Sequence, residues 1–330
     1  MRSAYQAHRQ MRNTENKGSA MVKWTSDQIP LLTGRTAVVT GVGGLGFECA
    51  LALSHAGAEV ILAGRNPAKG TEAIASIKQR NAGAKIKFET LDLASLNSVA
   101  EFGARLRNHY ERLDMLINNA GVMAPAAREI TRDGFELQLG TNHLGHFALT
   151  AHLLPLLRRG DRPRVISLSS LLARQGRISF SDLQYERGYK PFAAYAQSKL
   201  ACLMFALELE RRSSVAGWGV ESIAAHPGIA RTNLIENGPG RHSAFGIFSI
   251  VAKFLFQSPA QGALPTLFAA TSPSAKNGAY YGPDGLGETR GYPALAKIPL
   301  QARDDGVAQD LWEISERLTG VSFSTAALGI

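Results

Sequence analysis

The sequence predicts an α/β fold: a doubly wound, mostly parallel sheet between two layers of helices, in a single domain. Three observations predict it. Short β-branched runs alternate with longer helical patterns from residue 35 to residue 226. Several of those runs are apolar without polar alternation, as in strands covered on both faces. A glycine-rich turn, TGVGGLG (40–46), joins the first run to the first helical pattern.

The elements follow in order. RTAVVT (35–40), AEVILAG (58–64), KIKFETL (85–91), LDMLIN (113–118), RVISLS (164–169) and GVESIAAH (219–226) read as strands. Residues 46–56, 67–81, 95–111, 131–158 and 195–213 carry helical patterns. Beyond His226 the strand signal thins, and NGPG and SPSAKNG mark loops. No linker sets the end apart, so residues 227–330 are expected to be a substrate-facing part of the domain at 31–330. Residues 1–30 read as a polar N-terminal extension, expected to be disordered. FGIFSIVAKFLFQ (245–257), interrupted by Lys253, suits a substrate lid or a dimer contact better than a membrane span.

Composition narrows the function. With 36 basic and 27 acidic residues the formal charge is +9, which suits an anionic partner. No basic run with interleaved aromatics argues for nucleic acid. The two cysteines, Cys49 and Cys202, are far apart, and no CxxC pair suggests zinc. A reducing cytoplasm is expected, with no metal site.

In a doubly wound sheet, ligands bind outside the carboxyl ends of the strands. After the first strand, Gly41, Gly43 and Gly46 satisfy GxGxxG, with Gly44 and Leu45 completing the turn into a helix. Glycines there let backbone N–H groups approach a pyrophosphate at the helix N-terminus. After the second strand, the position of the usual ribose-binding acid is Arg65, and LAGRNPAKG holds no carboxylate. A guanidinium accommodates a 2′-phosphate, which favours NADP(H) over NAD(H). After the third strand, Asp92 suits either an adenine amino group or the cap of the next helix, with Leu93 beside it. After the fourth, Asn119, Ala120 and Gly121 let the chain pass close to a ribose.

The stretch AAYAQSKLACLMFAL (193–207) is apolar almost all round, yet carries Tyr195 and Lys199. Their i, i+4 spacing puts both on one face. Lysine is rarely buried, so Lys199 needs either a wet end of the helix or a partner.

These motifs, with TNHLGHF, VISLSS, YAQSK and HPG in the same order over 36 to about 232, resemble the short-chain dehydrogenase/reductase family with its Rossmann fold. FELQLGTNHLGHFALT and LLARQGRISFSDLQ are most similar to the branch of retinol dehydrogenases and protochlorophyllide reductases. The resemblance implies an NADP(H)-dependent oxidoreductase acting on a hydrophobic carbonyl/alcohol pair. It implies Tyr195 as acid/base, and Lys199 holding the nicotinamide ribose and lowering the tyrosine pKa. It also implies Ser170 on the substrate oxygen, ahead of Ser169 and Ser167, and Asn142 holding a relay water. Pro227, Gly228, Ile229 and Thr232 would approach the nicotinamide carboxamide. Physics supports these roles: a cation beside a phenol favours phenolate, and a hydroxyl aimed at the substrate oxygen meets developing charge.

Tyr185 and Tyr189 have no basic residue four positions on. His143 and His146 read as helix-packing or surface residues. Only Val42 and Gly43 separate Gly41 from Gly44, where the family has three residues. The loop is one residue short, or its glycine register is shifted, and many relatives use a side chain there to touch a 2′-phosphate. A C=C reductase of the protochlorophyllide type and a non-catalytic nucleotide sensor are the other readings. Homo-oligomerisation is compatible with the helices at 141–158 and 195–213.

Overall fold

Alternate residues of each central strand enter two different cores, which is why the strands carry no polar face. Ala37 and Val39 join one core with Val60, Leu62, Met115, Ile117 and Ile166. Val38 joins the other with Ile61, Leu116 and Val165. The computed structural model describes residues 23–230 and 257–323. The expected nicotinamide contact at Thr232, the 245–256 part of the apolar segment and residues 1–22 of the extension lie outside the described residues.

The chain runs β1 (Thr36–Thr40), α1 (Leu45–His55), β2 (Glu59–Gly64), α2 (Pro67–Arg80), β3 (Ile86–Thr90), α3 (Leu96–His109) and β4 (Met115–Asn118). A π-helical turn (Leu139–Leu144) then leads into α4 (Gly145–Leu157), followed by β5 (Arg164–Leu168), α5 (Pro191–Ala216) and β6 (Glu221–Ala225). The described C-terminal part adds α6 (Pro259–Thr271), β7 (Tyr280–Gly285), β8 (Arg290–Leu295) and α7 (Asp305–Thr319). The strands form one sheet in the order β3-β2-β1-β4-β5-β6-β7-β8. Every pairing is parallel except that of β8 with β7. The order reverses between β1 and β4, so the crevice of this fold opens above that pair.

Helix ends follow local chemistry. Asn66 caps α2 by accepting from Lys69 N, and Ser95 caps α3 by accepting from Ser98 N. α5 begins at Pro191, four residues ahead of the expected 195, because proline suits the first helical position. It ends at Gly217, which adopts φ +65°.

Three expectations need correction. The helix expected from 131 does not start there. Gly134 has φ +87°, and Ile130 pairs with Glu136 in an antiparallel bridge, so residues 131–135 form a tight turn. The C-terminal part contributes β7 and β8 to the sheet, although few strand signals mark it. Pro283 and Pro293 face each other there, beside a register shift between Pro283 and Gly285, as edge strands tolerate. Finally, the packed domain starts before residue 31: the Trp24 ring meets Phe268 edge-on at 5.4 Å, and Ile29 packs on the core.

Candidate active site

The glycine turn is shaped by what would crowd it. A Cβ at Gly46 would sit 2.1 Å from Gly41 O and 2.6 Å from Asn119 Nδ2. Gly41 has φ +92°, and its own Cβ would lie 2.9 Å from Asn119 Nδ2. At Gly43 a Cβ would meet nothing within 4 Å. The turn is therefore tight toward β4 and open on its outer side. Gly44, at φ 53° and ψ −123°, is the N-cap of α1, with Leu45 its first residue. The first-turn N–H groups of α1 thus rise at the open end of the sheet.

Thr40 and Asn119 tie β1 to β4 beneath this turn. Thr40 Oγ1 accepts from Asn119 N (2.9 Å) and Ala120 N (3.0 Å). Asn119 Nδ2 donates to Thr40 O at 2.6 Å. Asn119 thus supports the turn with its side chain, a role the Asn-Asn-Ala-Gly run did not announce. Arg65 is exposed immediately after β2. Asp92 is not the cap of α3. Its Oδ1 accepts from Ala94 N (3.1 Å), Ser95 does the capping, and Leu93 is buried beneath.

Lys199 is buried, 5% exposed, and it has the partner its burial requires: Nζ donates to Leu168 O at 3.0 Å. The same Nζ lies 5.9 Å from the centre of the Tyr195 ring and 3.5 Å from where a Cβ on Gly121 would be. Asn142 sits in the π-helical turn, a device often found at functional sites. Its Oδ1 accepts from Val122 N (2.8 Å), and its Nδ2 donates to Val122 O (3.0 Å) and to Ser198 Oγ (2.9 Å). Ser198 in turn donates to Tyr195 O at 2.8 Å. A Cβ on Gly121 would come within 2.9 Å of Asn142 Oδ1. Lys199 Nζ, the Tyr195 ring, Gly121 and Asn142 therefore lie close together, and Ser198 ties Asn142 to the main-chain carbonyl of Tyr195.

The two serines after β5 separate cleanly. Ser169 is buried and donates to Lys199 O at 2.8 Å. Ser170 is half-buried and heads a 3₁₀ turn (Leu171–Gln175), where its Oγ accepts from Leu172 N at 3.2 Å. Beyond β6, Pro227, Gly228 and Ile229 form a turn in which Gly228 has φ +64° and Ile229 N donates to Thr289 O at 2.7 Å.

The histidines are interior, not surface. Burial pushes His143 down to about 3 and His146 down to about 4, so both rings are neutral near pH 7. His143 bonds Ser315 at 2.8 Å, and His146 spans Thr40 and Asn142 O. Tyr189 takes a donor from Gln138 Nε2 at 2.9 Å, in the loop ahead of α5.

The residues present fit a dinucleotide. A cradle with no room for side chains at Gly41 and Gly46, a helix N-terminus and a passage at Gly121 line one end of the sheet.

Comparison with known proteins agrees. The short chain dehydrogenase family matches residues 35–239. Retinol dehydrogenase 13 of Mus musculus is 40% identical over 90% of this chain and 87% of its own length. A crystal structure from Mycobacterium paratuberculosis is 36% identical, with TM-score 0.76, covering 92% of this chain and 100% of that one. The structure of Pseudomonas aeruginosa RhlG with NADP is 27% identical, with TM-score 0.57, covering 76% of this chain and 94% of that one.

Proposed function

The chain belongs to the short-chain dehydrogenase family, and from that premise we propose an NADP(H)-dependent oxidoreductase that interconverts an apolar alcohol and its carbonyl compound. The observation that carries this reading is the buried ammonium of Lys199 on the same helical face as Tyr195, beside Gly121 and Asn142. The ammonium carries three N–H groups and donates to Leu168 O, which leaves it capacity for ribose hydroxyls.

Gly41, Gly44, Leu45 and Gly46 would hold the pyrophosphate, Arg65 the 2′-phosphate, and Asn119, Ala120, Gly121 and Lys199 the nicotinamide half. Pro227, Gly228 and Ile229 would border the carboxamide. When bound, the cofactor supplies or accepts the hydride. The Tyr195 hydroxyl gives its proton to the developing alkoxide, or takes one from the alcohol. The ammonium of Lys199 opposes the negative charge left on that oxygen. Ser170 donates to the substrate oxygen where charge develops, a donor already fixed by its turn. Asn142, clasped on both amide atoms, holds the carbonyl side of its turn in place for a relay water.

NADP(H) is favoured by Arg65 in place of an acid after β2, and by the NADP complex of a family relative. An apolar substrate is favoured by the name of the retinol dehydrogenase relative. Two exposed side chains of this chain favour it too: Phe192, one turn ahead of Tyr195, and Ile229 after β6. The test is Tyr195→Phe, which keeps the ring and removes the proton. Turnover of an active alcohol or aldehyde should fall roughly 10²- to 10⁴-fold with NADPH binding retained. Near-normal turnover would overturn the assignment. NMR of the product distinguishes carbonyl reduction from C=C reduction.

A further inference from the structure

The β7–β8 hairpin carries a carboxylate to the point where two of the site's turns approach each other. We propose that Glu288 is a positioning residue for the reaction, clamping the turn that starts at Ser170 and the Pro227–Ile229 turn into one frame. The inference rests on the functional reading of those two turns.

Glu288 Oε2 forms an ion pair with Arg174 Nη2 at 2.5 Å and accepts from His226 Nε2 at 2.9 Å. Its Oε1 accepts from Lys297 N at 3.1 Å. Arg174 lies in the 3₁₀ turn headed by Ser170, and His226 immediately precedes Pro227. One carboxylate thus holds elements that leave β5 and β6 separately. The backbone reinforces it, because Ile229 N donates to Thr289 O, and a Cβ on Gly228 would lie 2.3 Å from that oxygen.

The imidazole of His226 makes the contact directional. Gly228 N donates to Nδ1 at 3.2 Å, so Nδ1 is the acceptor and Nε2 carries the proton that goes to Glu288. Burial, opposed by the Glu288 hydrogen bond, holds this imidazole below its ordinary range, in keeping with a neutral ring. The ring is pinned from two sides. A Cβ on Gly282 would be 2.0 Å from Nε2, and the Tyr280 ring lies 5.1 Å away, centre to centre. Glu288 therefore reaches the serine turn through Arg174 and the Pro227–Ile229 turn through His226.

The backbone at this point is not what a glutamate prefers. Leu286, Gly287 and Glu288 have φ of 39°, 64° and 66°, three successive left-handed residues. Such conformations persist where the surroundings enforce them, and they concentrate at functional positions. An ordinary exposed ion pair would not enforce one. Here the His226 side chain is fully buried, and the carboxylate takes two hydrogen bonds and one ion pair.

The test uses Glu288→Ala and Glu288→Gln in the full chain. In the alanine variant kcat should fall about 10- to 100-fold, the scale of a misplacement near 1 Å. The glutamine variant keeps one acceptor oxygen and should recover part of that loss. The dissociation constant of NADPH, read by fluorescence titration, should stay near the parent value, because the glycine turn and Arg65 are untouched. Amide hydrogen exchange should rise together at 170–176 and 226–230. Unchanged kcat in the alanine variant, or faster exchange confined to 285–290, would overturn the proposal. The exchange measurement needs no turnover, so it judges the clamp even where the Tyr195 variant has refuted the enzymatic roles.

Discussion

Replacing Thr40 by valine should destabilise the protein through the loss of its hydroxyl's hydrogen bonds, with almost no change of shape. Thr40 is fully buried at the end of β1. Its oxygen accepts from Asn119 N at 2.9 Å and Ala120 N at 3.0 Å, and lies 2.9 Å from His146 Nε2. His146 Nδ1 faces the carbonyl of Asn142 at 2.9 Å, so Nδ1 carries the ring proton and Nε2 accepts from the threonine hydroxyl. Valine leaves Ala120 N and His146 Nε2 without partners, whereas Asn119 N keeps its bond to Ile117 O at 3.0 Å. An unsatisfied buried group costs about 1–3 kcal/mol. The His146 ring is fully enclosed and takes that range, while the half-buried Ala120 N–H regains part of its own from water. The expected total is about 1.5–4 kcal/mol. Thr40→Ser keeps the hydroxyl and loses one methyl, so its cost should stay within about 1.5 kcal/mol. Urea unfolding of both variants gives the comparison through the midpoint, provided m is unchanged. A valine variant within about 1 kcal/mol of the parent, or a serine variant as unstable as valine, would refute the reasoning.

Other outcomes follow from the same geometry. Arg65→Ala should lower kcat/KM for NADPH by about tenfold or more, the scale of one charge-assisted phosphate contact, and leave NADH nearly unchanged; equal losses would remove Arg65 from cofactor choice. Gly46→Ala puts a methyl 2.1 Å from Gly41 O, so a thermal melt should show about 1–3 kcal/mol or more of destabilisation, with weakened NADPH binding. Acid should destabilise the fold well before its carboxylates titrate. The His143 and His146 rings have ordinary values of 6.5 when unfolded but are held down to about 3 and about 4 when folded. The unfolded chain therefore binds more protons in between, and stability is complete above about pH 6.5 and drains as pH falls toward 4. Urea midpoints at successive pH values should decline across that window, and His143→Gln should make the decline shallower by about 1.4 kcal/mol per pH unit; a flat profile would contradict neutral buried rings.

The glycine turn, Arg65, the Asn-Ala-Gly passage and the Tyr195/Lys199 face were legible because each depends on residues close together in the chain. A GxGxxG after an apolar run, or a spacing of four on a helix, carries its geometry locally. The histidines had no local mark to separate interior from surface, because β1 and the π-helical turn that enclose His146 lie far apart in sequence. Ser198 looked like one more small residue in an apolar helix. Its link between Tyr195 and Asn142 exists only once α5 meets that turn.

By itself the amino-acid order determined the α/β alternation, the family and the four side chains proposed for chemistry, since hydrophobic period and short spacings act within a few residues. Tertiary structure alone decided that a proline-bearing hairpin completes the sheet, that Thr40 and Asn119 brace the glycine turn, and that Glu288 reaches two turns at once. Those features depend on which strand ends become neighbours. That choice is made by burying two faces of one sheet, not by any local propensity.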